Sequence, residues 1–389
     1  MRKIIMMILV IALASSCEVG KADNTNAILR INAFSEGLAA IQNANGLWGY
    51  IDQTGKIVIP CEWESAGSFN KGIASIRKYG KYGCINSMGQ LIVPCQWNGY
   101  SPISFSEGLA AVQNEDKLWG FIDMSGVLVI PCVWEGVLTP RFSGGLAAVE
   151  KDGKMGYINT NGDVVIPCDY QYASAFSHGF AGVQDKEGLF FIDTSGSIAF
   201  PEIPHATGLD SFREDGIAFL EFDDYTGIFI DTKGNTVCSL TAEYRYRSNF
   251  REGLAGIAKQ NEQGEWIGCE GYIDRTGTIV IPLELHSSYH YFMSGLACVP
   301  DGPVSSADTP YGVINRSGTL VYPFSLDKVV EFKDTVTEAV QGEQFGAINT
   351  DGRILIPFMY DDVKVGDGII LCLKQNEISI FDYNGKALK

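Results

Sequence analysis

The sequence has little positive charge and few residues that bind metals. Lys and Arg number 29 against 46 Asp and Glu, which gives a net charge of −17 with the four His neutral. Because phosphate contacts need clustered Lys and Arg, this balance argues against binding nucleic acid, or an anionic membrane surface, through charge. The His residues show no metal-binding pattern, so neither a zinc site nor a cofactor is expected.

Motifs of the common enzyme classes are also missing from the sequence. It contains no Gly-x-Ser-x-Gly elbow, no phosphate-cradling glycine loop and no zinc-protease helix motif. Each turn of the repeat described below offers a single acid, whereas calcium needs several oxygen ligands. We therefore expect a protein that is not an enzyme, with no catalytic residues and no metal.

The N-terminus is typical of an exported protein. Arg2 and Lys3 precede an apolar run of about 11 residues, which is too short to span a bilayer as a helix. Leu13-Ala14-Ser15-Ser16-Cys17 resembles the lipobox of bacterial lipoproteins, with Cys17 as the lipidated residue. We expect a signal peptide over 1–16, a tether over 17–33 and a repeat array over 34–389. An ordinary signal peptide is the alternative.

The repeat is clearest in a turn column that has Asp or Asn first and Gly fourth. Such a turn closes a hairpin, because the side-chain oxygen caps backbone N–H groups and Gly adopts the left-handed conformation. Ten copies occur: Asp52/Gly55, Asn86/Gly89, Asp123/Gly126, Asn159/Gly162, Asp193/Gly196, Asp231/Gly234, Asp274/Gly277, Asn315/Gly318, Asn349/Gly352 and Asp382/Gly385. The column is therefore interpreted as structural.

Pro and Phe columns flank this turn. In most copies a Pro, such as Pro60, follows the turn glycine by five residues, and we expect it to end its strand because Pro cannot donate to a ladder. The next copy then begins with Phe and, three residues later, Gly, as in Phe34-Ser-Glu-Gly37.

Between these columns lie Leu47-Trp48-Gly49-Tyr50 and Leu118-Trp119-Gly120-Phe121, with Tyr82-Gly83, Met155-Gly156 and Phe345-Gly346 as variants. This pattern resembles the WG-containing repeat family of bacteria over about nine-tenths of the chain. The resemblance implies a β-repeat array of the kind found in exported and cell-surface-associated proteins, without a shared set of catalytic residues.

These columns predict an all-β protein, a tandem array of about ten three-stranded β-hairpin repeats. Three strands are fewer than the four of a common propeller blade, and ten units exceed the usual four to eight blades. We therefore favour an open superhelical stack, with a closed β-propeller-like ring as the alternative.

Two further columns have both structural and functional interpretations. Cys61, Cys95, Cys132 and Cys168 each follow a Pro, and we interpret them as small buried hydrophobes rather than as disulfide or metal ligands. Trp63, Trp97 and Trp134 fall three residues beyond their Pro. They are candidates for stacking sugar rings, although plugging the gap between adjacent units is the favoured interpretation.

Two consecutive copies are longer in the same loop, and insertions of this kind often form a binding face. The first extends over Gln260 to Cys269 and contains Trp266. The second extends over Pro300 to Pro310 and contains Asp301, Asp308 and Thr309. We expect these four residues to contribute to one composite patch, with drift in a tolerant loop as the alternative.

Together these features favour an exported, non-catalytic binding or scaffold surface for a protein partner. The alternatives are a carbohydrate-binding accessory lipoprotein and a cell-envelope hydrolase carried on a β-repeat scaffold. We expect contact with the membrane only through the N-terminal lipid, and a protein or glycan ligand. The expected location is the cell envelope, with the outer membrane favoured and a secreted or periplasmic protein as the alternative.

Overall fold

The computed structural model describes residues 27–99, 101–260, 266–285, 291–302, 309–329, 332 and 335–388. These residues form ten antiparallel sheets in chain order, and each sheet is called a blade. No helix is present among them, and so none that could cross a membrane.

The blades are simple meanders. Blades 1 to 5 contain β1 (Ile28–Ile31), β2 (Leu38–Asn43), β3 (Trp48–Asp52) and β4 (Ile57–Trp63); β5 (Ser65–Ala66), β6 (Ile73–Lys78), β7 (Lys81–Asn86) and β8 (Leu91–Trp97); β9 (Phe105–Ser106), β10 (Leu109–Gln113), β11 (Trp119–Asp123) and β12 (Leu128–Trp134); β13 (Phe142–Ser143), β14 (Leu146–Lys151), β15 (Lys154–Asn159) and β16 (Val164–Tyr170); and β17 (Tyr172–Ala173), β18 (Phe180–Gln184) and β19 (Leu189–Asp193). Blades 6 to 10 contain β20 (Gly208–Asp210), β21 (Ile217–Glu221), β22 (Gly227–Asp231) and β23 (Thr236–Leu240); β24 (Tyr244–Tyr246), β25 (Leu254–Gln260), β26 (Trp266–Asp274) and β27 (Ile279–Leu285); β28 (Leu296–Pro300), β29 (Tyr311–Asn315) and β30 (Leu320–Leu326); β31 (Lys328–Val329), β32 (Val336–Gln341), β33 (Gln344–Asn349) and β34 (Ile354–Tyr360); and β35 (Asp362–Gly366), β36 (Ile369–Lys374) and β37 (Glu377–Asp382).

Seven blades have four strands, so the predicted three-stranded unit is wrong for most of the chain. The missed strand is the first of each blade, which in five blades is only two residues long. It lies in the polar and aromatic segment between the Pro and Phe columns. So short a strand carries no alternating pattern that a sequence could display. Strand β1 begins at Ile28, inside the segment 17–33 that we assigned to a tether.

The conformations of the two turns at one end of each blade are explained by the residues in them. In blade 1 the turn between the first two strands has φ of 53° at Glu36 and 80° at Gly37, values typical of a type I′ hairpin. In the turn between the last two strands, Asp52 Oδ1 accepts the backbone N–H of Thr54 at 2.9 Å and of Lys56 at 3.1 Å. The predicted capped Asp-x-x-Gly turn is confirmed.

The glycine that follows the Trp is required by a bulge in the fourth strand. In blade 1 the step from Trp48 to Tyr50 is matched by a step of four residues from Trp63 to Ile59, with Pro60 inside the bulge. A Cβ on Gly49 would lie 2.5 Å from the carbonyl oxygen of Ile59. The prediction that Pro ends its strand is wrong, because at the outer edge of a sheet its missing N–H disrupts no ladder.

The same pairing of a glycine with a bulged, Pro-containing strand recurs in other blades. All seven blades that have this glycine have a bulged last strand with Pro: Gly49, Gly83, Gly120, Gly156, Gly271, Gly312 and Gly346, opposite Pro60, Pro94, Pro131, Pro167, Pro282, Pro323 and Pro357. Blade 6 has Ile228 in this position, and its fourth strand lacks Pro and places Ser239 directly opposite Ile228. Blade 5 has Phe190 there, and its sheet has no fourth strand.

Consecutive blades are joined by aromatic pairs. The third strand of one blade contributes a Tyr or Phe that packs against the Phe at the first turn of the next blade, with ring centroids 4.7 to 5.1 Å apart. The pairs are Tyr50–Phe69, Phe121–Phe142, Tyr157–Phe176, Phe191–Phe212, Phe229–Phe250 and Tyr272–Phe292. The Phe column is therefore an inter-blade contact.

The first and last blades meet in the same way as any two neighbours. Ile31 of blade 1 shares a hydrophobic core with Leu371 of blade 10. Asp367 Oδ2 accepts the N–H of Gly37 at 3.0 Å, just as Glu36 Oε2 accepts the N–H of Gly72 at 2.8 Å. The molecule is therefore a closed ten-bladed β-propeller. The open superhelical stack is wrong, and the ring that we held as the alternative is correct.

Candidate functional site

The tryptophan column lies between blades. Trp63 is 3% exposed and Trp134 is 5% exposed, each within a core shared by its own blade and the next. Trp97 is half-buried and packs against the core between blades 2 and 3. These indoles fill the gaps between blades, and the burial of Trp63 and Trp134 leaves them no open face on which a sugar could stack.

The cysteine column packs in the same junctions. Cys95, Cys132 and Cys168 each lie against the core that contains the aromatic residue of the preceding blade. Burial raises the pKa of all four thiols of the column. The eight described cysteine side chains are free, and the described part of the chain holds no group of three His, Cys, Asp or Glu that could bind a metal.

The described ends of the two lengthened loops belong to neighbouring blades, at the turns between β25 and β26 and between β28 and β29, and we call the face with these turns the loop face. In blade 7, Trp266 begins β26 and its backbone pairs with Gln260. In blade 8, Asp301 is exposed and its N–H donates to the carbonyl of Pro310 at 2.8 Å, while Thr309 is partly buried. Asp308, the side chain of Trp266 and the lipidation candidate Cys17 lie outside the described residues.

The opposite face, which we call the turn face, carries the first and third turns of every blade. Four blades have a Ser immediately after the inter-blade Phe, and its hydroxyl donates to the carbonyl of the Phe in the next blade. These bonds join Ser35 to Phe69, Ser106 to Phe142, Ser143 to Phe176 and Ser177 to Phe212, at 2.6 to 2.9 Å. The serine hydroxyls therefore tie neighbouring blades together.

Blades 6 and 7 have Arg213 and Arg251 at the serine position, where blade 2 has Asn70 and blade 8 has Met293. Blade 6 also has one extra turn residue, Glu214, whose side chain is 83% exposed. Both departures could have been found by aligning the residues after each Phe. Sequence analysis missed them because it compared the lengths of the longer loops only.

The two arginines line a cavity of about 360 Å³ at the turn face. Its walls come from four consecutive blades: Ser177 and His178, then Phe212, Arg213 and Glu214, then Phe250 and Arg251, and finally Tyr291. A second cavity of about 430 Å³ shares Glu214 and Arg251 with the first and continues to Met293 and Phe332. We call the two together the turn-face groove.

The arginines of the groove differ in how firmly they are held. Arg213 Nη2 lies 2.7 Å from Asp210 Oδ1, and although burial opposes its charge, Asp210 outweighs burial and raises the pKa of Arg213. Arg251 Nε lies 3.8 Å from the exposed Glu214 carboxylate, and its guanidinium stands 5.8 Å from the centre of the Tyr291 ring. Arg251 therefore has the weaker ion pair of the two.

Asp215 and Glu252, which line the second cavity, have partners within the protein. Asp215 Oδ2 accepts hydrogen bonds from Arg275 at 2.8 Å and from the N–H of Gly253 at 3.1 Å. Burial raises the pKa of Asp215, but these two hydrogen bonds outweigh it and lower the pKa overall. Glu252 accepts the N–H of Gly295 at 2.8 Å. These carboxylates tie blades together, and with Glu214 they give the lining of the second cavity three acids beside Arg251.

Several solved structures are similar to parts of the chain. They include a eukaryotic initiation factor (9% identity, 91% of this chain and 96% of that chain, TM-score 0.49), BamB from Moraxella catarrhalis (13%, 90% and 97%, 0.36) and Hsv2p from Kluyveromyces lactis (10%, 63% and 92%, 0.35). No curated protein sequence matches the chain.

The family model described as the WG containing repeat matches residues 48–82, 82–117, 119–154, 155–190, 271–299, 311–334 and 345–365. The long gap between the fourth and fifth matches, residues 191–270, contains the whole of blade 6, where Ile228 replaces the bulge-facing glycine, together with the end of blade 5 and the first part of blade 7. Because these matches cover more than half of its length, the chain belongs to the WG containing repeat family.

Proposed function

We propose that this protein is a non-catalytic scaffold of the bacterial cell envelope that holds a protein partner in its turn-face groove. One observation carries the proposal. Two neighbouring blades have Arg213 and Arg251 in the position of the serine that joins four other blades, and both arginines line a cavity. A repeat protein is expected to bind its partner where residues that depart from a structural column line a cavity.

The groove is also well placed to receive a macromolecule. Four blades contribute to the first cavity and the second extends it to blade 9, so the opening is long. The sequence pattern at Cys17 supports attachment through a lipid, which would hold the ring near a membrane while its face stays accessible.

In-cell photo-crosslinking tests the partner. A photo-reactive amino acid replaces Glu214 in the groove or, as the matched control, Tyr79, which is 83% exposed in the turn between β6 and β7 on the loop face. We expect a discrete crosslinked protein from position 214 and none of that mass from position 79. Absence of a crosslinked protein at 214, or the same product from both positions, would contradict the proposal.

Metabolic labelling tests the anchor separately. Cells expressing the full chain are fed an alkyne fatty acid, and the protein is examined for label. We expect label on the wild-type protein and none on the Cys17→Ala variant. An unlabelled wild-type protein would exclude lipidation while leaving the groove test unaffected.

A further inference from the structure

The turn between the first two strands of a blade has two consecutive backbone N–H groups outside the hairpin's own hydrogen bonds, which we call the N–H pair. In blade 2, Glu36 Oε1 accepts the N–H of Lys71 at 2.6 Å, and Glu36 Oε2 accepts that of Gly72 at 2.8 Å. An acid of the preceding blade fills the N–H pair in the same way elsewhere: Glu107 at Gly144 and Gly145, Asp215 at Gly253, Glu252 at Gly295 and Asp367 at Gly37. The N–H pair is therefore a carboxylate-binding element made of backbone.

Blade 3 has the same N–H pair without an acid in front of it. Its φ values of 53° at Glu107 and 84° at Gly108 match the filled turn of blade 2, which has 53° and 76°. Neither N–H group has an acceptor among the residues that the structure describes. The position that Glu36 holds in blade 1 is occupied in blade 2 by Lys71. The preceding blade therefore offers this N–H pair an ammonium group in place of a carboxylate.

We infer that the N–H pair of blade 3 binds a carboxylate of a ligand from outside the chain, at a site that shares no residue with the turn-face groove. The N–H groups of Glu107 and Gly108 take its two oxygens, as the corresponding groups of blade 2 take those of Glu36. Backbone groups of this kind capture carboxylates because their dipoles converge on one place and are already ordered. Lys71, which is exposed, adds a positive charge beside them.

The selection of a carboxylate rests on this geometry and not on net charge. Glu107 itself lies in the turn, and its own carboxylate is held by blade 4 at 2.8 and 2.9 Å. Blades 1 and 7 have Glu36 and Glu252 at the position of Glu107. Their turns nevertheless accept the carboxylates of Asp367 and Asp215. An acid within the turn is therefore compatible with binding of a second carboxylate, and blade 3 has in addition a cation in the preceding blade.

A cavity of about 460 Å³ reaches the same junction and gives room for the rest of the ligand. Lys71 lines it, together with Ser104 and Phe105 of blade 3. Cavities of this size hold small ligands, with a few polar groups fixing their orientation. A Glu side chain of a protein, a peptide C-terminus and a sugar acid all present a carboxylate, and the test below distinguishes these sources.

The test follows backbone N–H signals by NMR in the full chain labelled with ¹⁵N-glycine. The probes are N-acetylglutamate amide for a side chain, N-acetyl-diglycine for a peptide C-terminus and galacturonate for a sugar acid. N-acetylglutamine amide, which lacks the carboxylate, is the control ligand. Gly108 reports the open N–H pair, and Gly72 is the internal control because Glu36 already fills its turn.

Two variants separate a filled site from a change in charge. Lys71→Glu places a carboxylate at the position that Glu36 holds in blade 1, on a backbone with the same φ of 53°. Lys154→Glu makes the same change in net charge at an exposed position in β15, beside the turn on the loop face. Unchanged signals of the other glycines show that each variant is folded.

We expect at least one carboxylate probe to shift the Gly108 signal downfield in a saturable way, because a charge-assisted hydrogen bond forms, and the Gly72 signal to stay in place. The probe that binds most tightly identifies the source of the carboxylate. Lys71→Glu should shift Gly108 without any probe and abolish its response, whereas Lys154→Glu should keep the response. Lys71→Ala should weaken binding by about twofold to fivefold, which is what an exposed ion pair contributes.

Three results would overturn the inference: no carboxylate probe moves the Gly108 signal, the control amide moves it as much as the carboxylates do, or Lys154→Glu abolishes the response as completely as Lys71→Glu. The last result would mean that net charge rather than a filled N–H pair governs binding. The outcome is independent of the proposed function, because the crosslink at position 214 reports on other blades.

Discussion

Replacing Gly156 by Ala should destabilise blade 4 through contact with a bulged backbone. The new Cβ would lie 2.6 Å from the carbonyl oxygen of Ile166 and 2.7 Å from the backbone nitrogen of Cys168. Ordinary contacts begin near 3.4 Å, so the shortfall is large, and both atoms are backbone that no rotamer change can move. From the cost of overpacking, we expect a loss of about 3 kcal/mol.

Gly67 is the matched control for this substitution. A Cβ there meets its nearest atom, the carbonyl oxygen of Ser75, at 3.5 Å, and the backbone is not left-handed. Gly67→Ala should therefore be neutral or stabilise the protein by about 0.5 kcal/mol through the unfolded chain. Urea denaturation, with hydrogen exchange of the amides in β16, measures both variants. The explanation of the glycine fails if Gly156→Ala costs no more than Gly67→Ala.

A transplant from blade 6 provides a second test of the same rule. Replacing Val164–Tyr170 with Thr236–Leu240, which is two residues shorter and lacks Pro, removes the bulge that Gly156 faces. In this background Gly156→Ile should be tolerated, because Ile228 occupies the equivalent position in blade 6. In the native background the same Ile should abolish protection of the β16 amides. Equal damage in both backgrounds would refute the coupling.

Three further predictions concern closure, pH and thiol reactivity. Asp367→Ala removes the hydrogen bond to Gly37, so it should cost about 1 kcal/mol and speed hydrogen exchange in β1 and β35 more than in β14; uniform exchange would contradict closure at this seam. Hydrogen bonds, chiefly from the Thr54 hydroxyl, lower the pKa of Asp52, so its contribution to stability is complete above about pH 4 and is lost as the pH falls through the lower folded value. Asp52→Asn should therefore reduce the loss of stability in acid, as measured by urea denaturation at neutral and acid pH. Burial raises the pKa of Cys84 to about 12, so this thiol should resist alkylation at pH 8 until the chain is unfolded in urea, as followed by mass spectrometry.

Other features of the fold were predictable because they depend on residues close together in the chain. The Asp-x-x-Gly turns are closed by bonds such as that from the N–H of Gly55 to the carbonyl of Asp52, which spans three residues. Their capping bonds span two or four. The repeat length, the all-β class and the WG family follow from the recurrence of these local patterns. Each was therefore accessible from a single sequence.

The position of Pro60 and the role of Trp63 needed the structure. The sequence places Pro60 at a fixed distance from the turn, but only the strand pairing shows that it lies in a bulge facing Gly49. Likewise an aromatic column on a β-repeat could face solvent or the next unit. Burial of Trp63 between blades 1 and 2 decides this, because it depends on how two separate sheets pack.

By itself, then, the sequence determined the ten copies, their turns and the family, since short-range hydrogen bonding and strand propensity encode them. Closure depended on the angle between successive blades, summed around the ring, until residues such as Gly37 and Asp367, 330 positions apart, came into hydrogen-bonding contact. The turn-face groove depended on the same geometry. Arg213, Arg251 and Tyr291 belong to three separate copies, and only the packing of the blades brings them around one cavity.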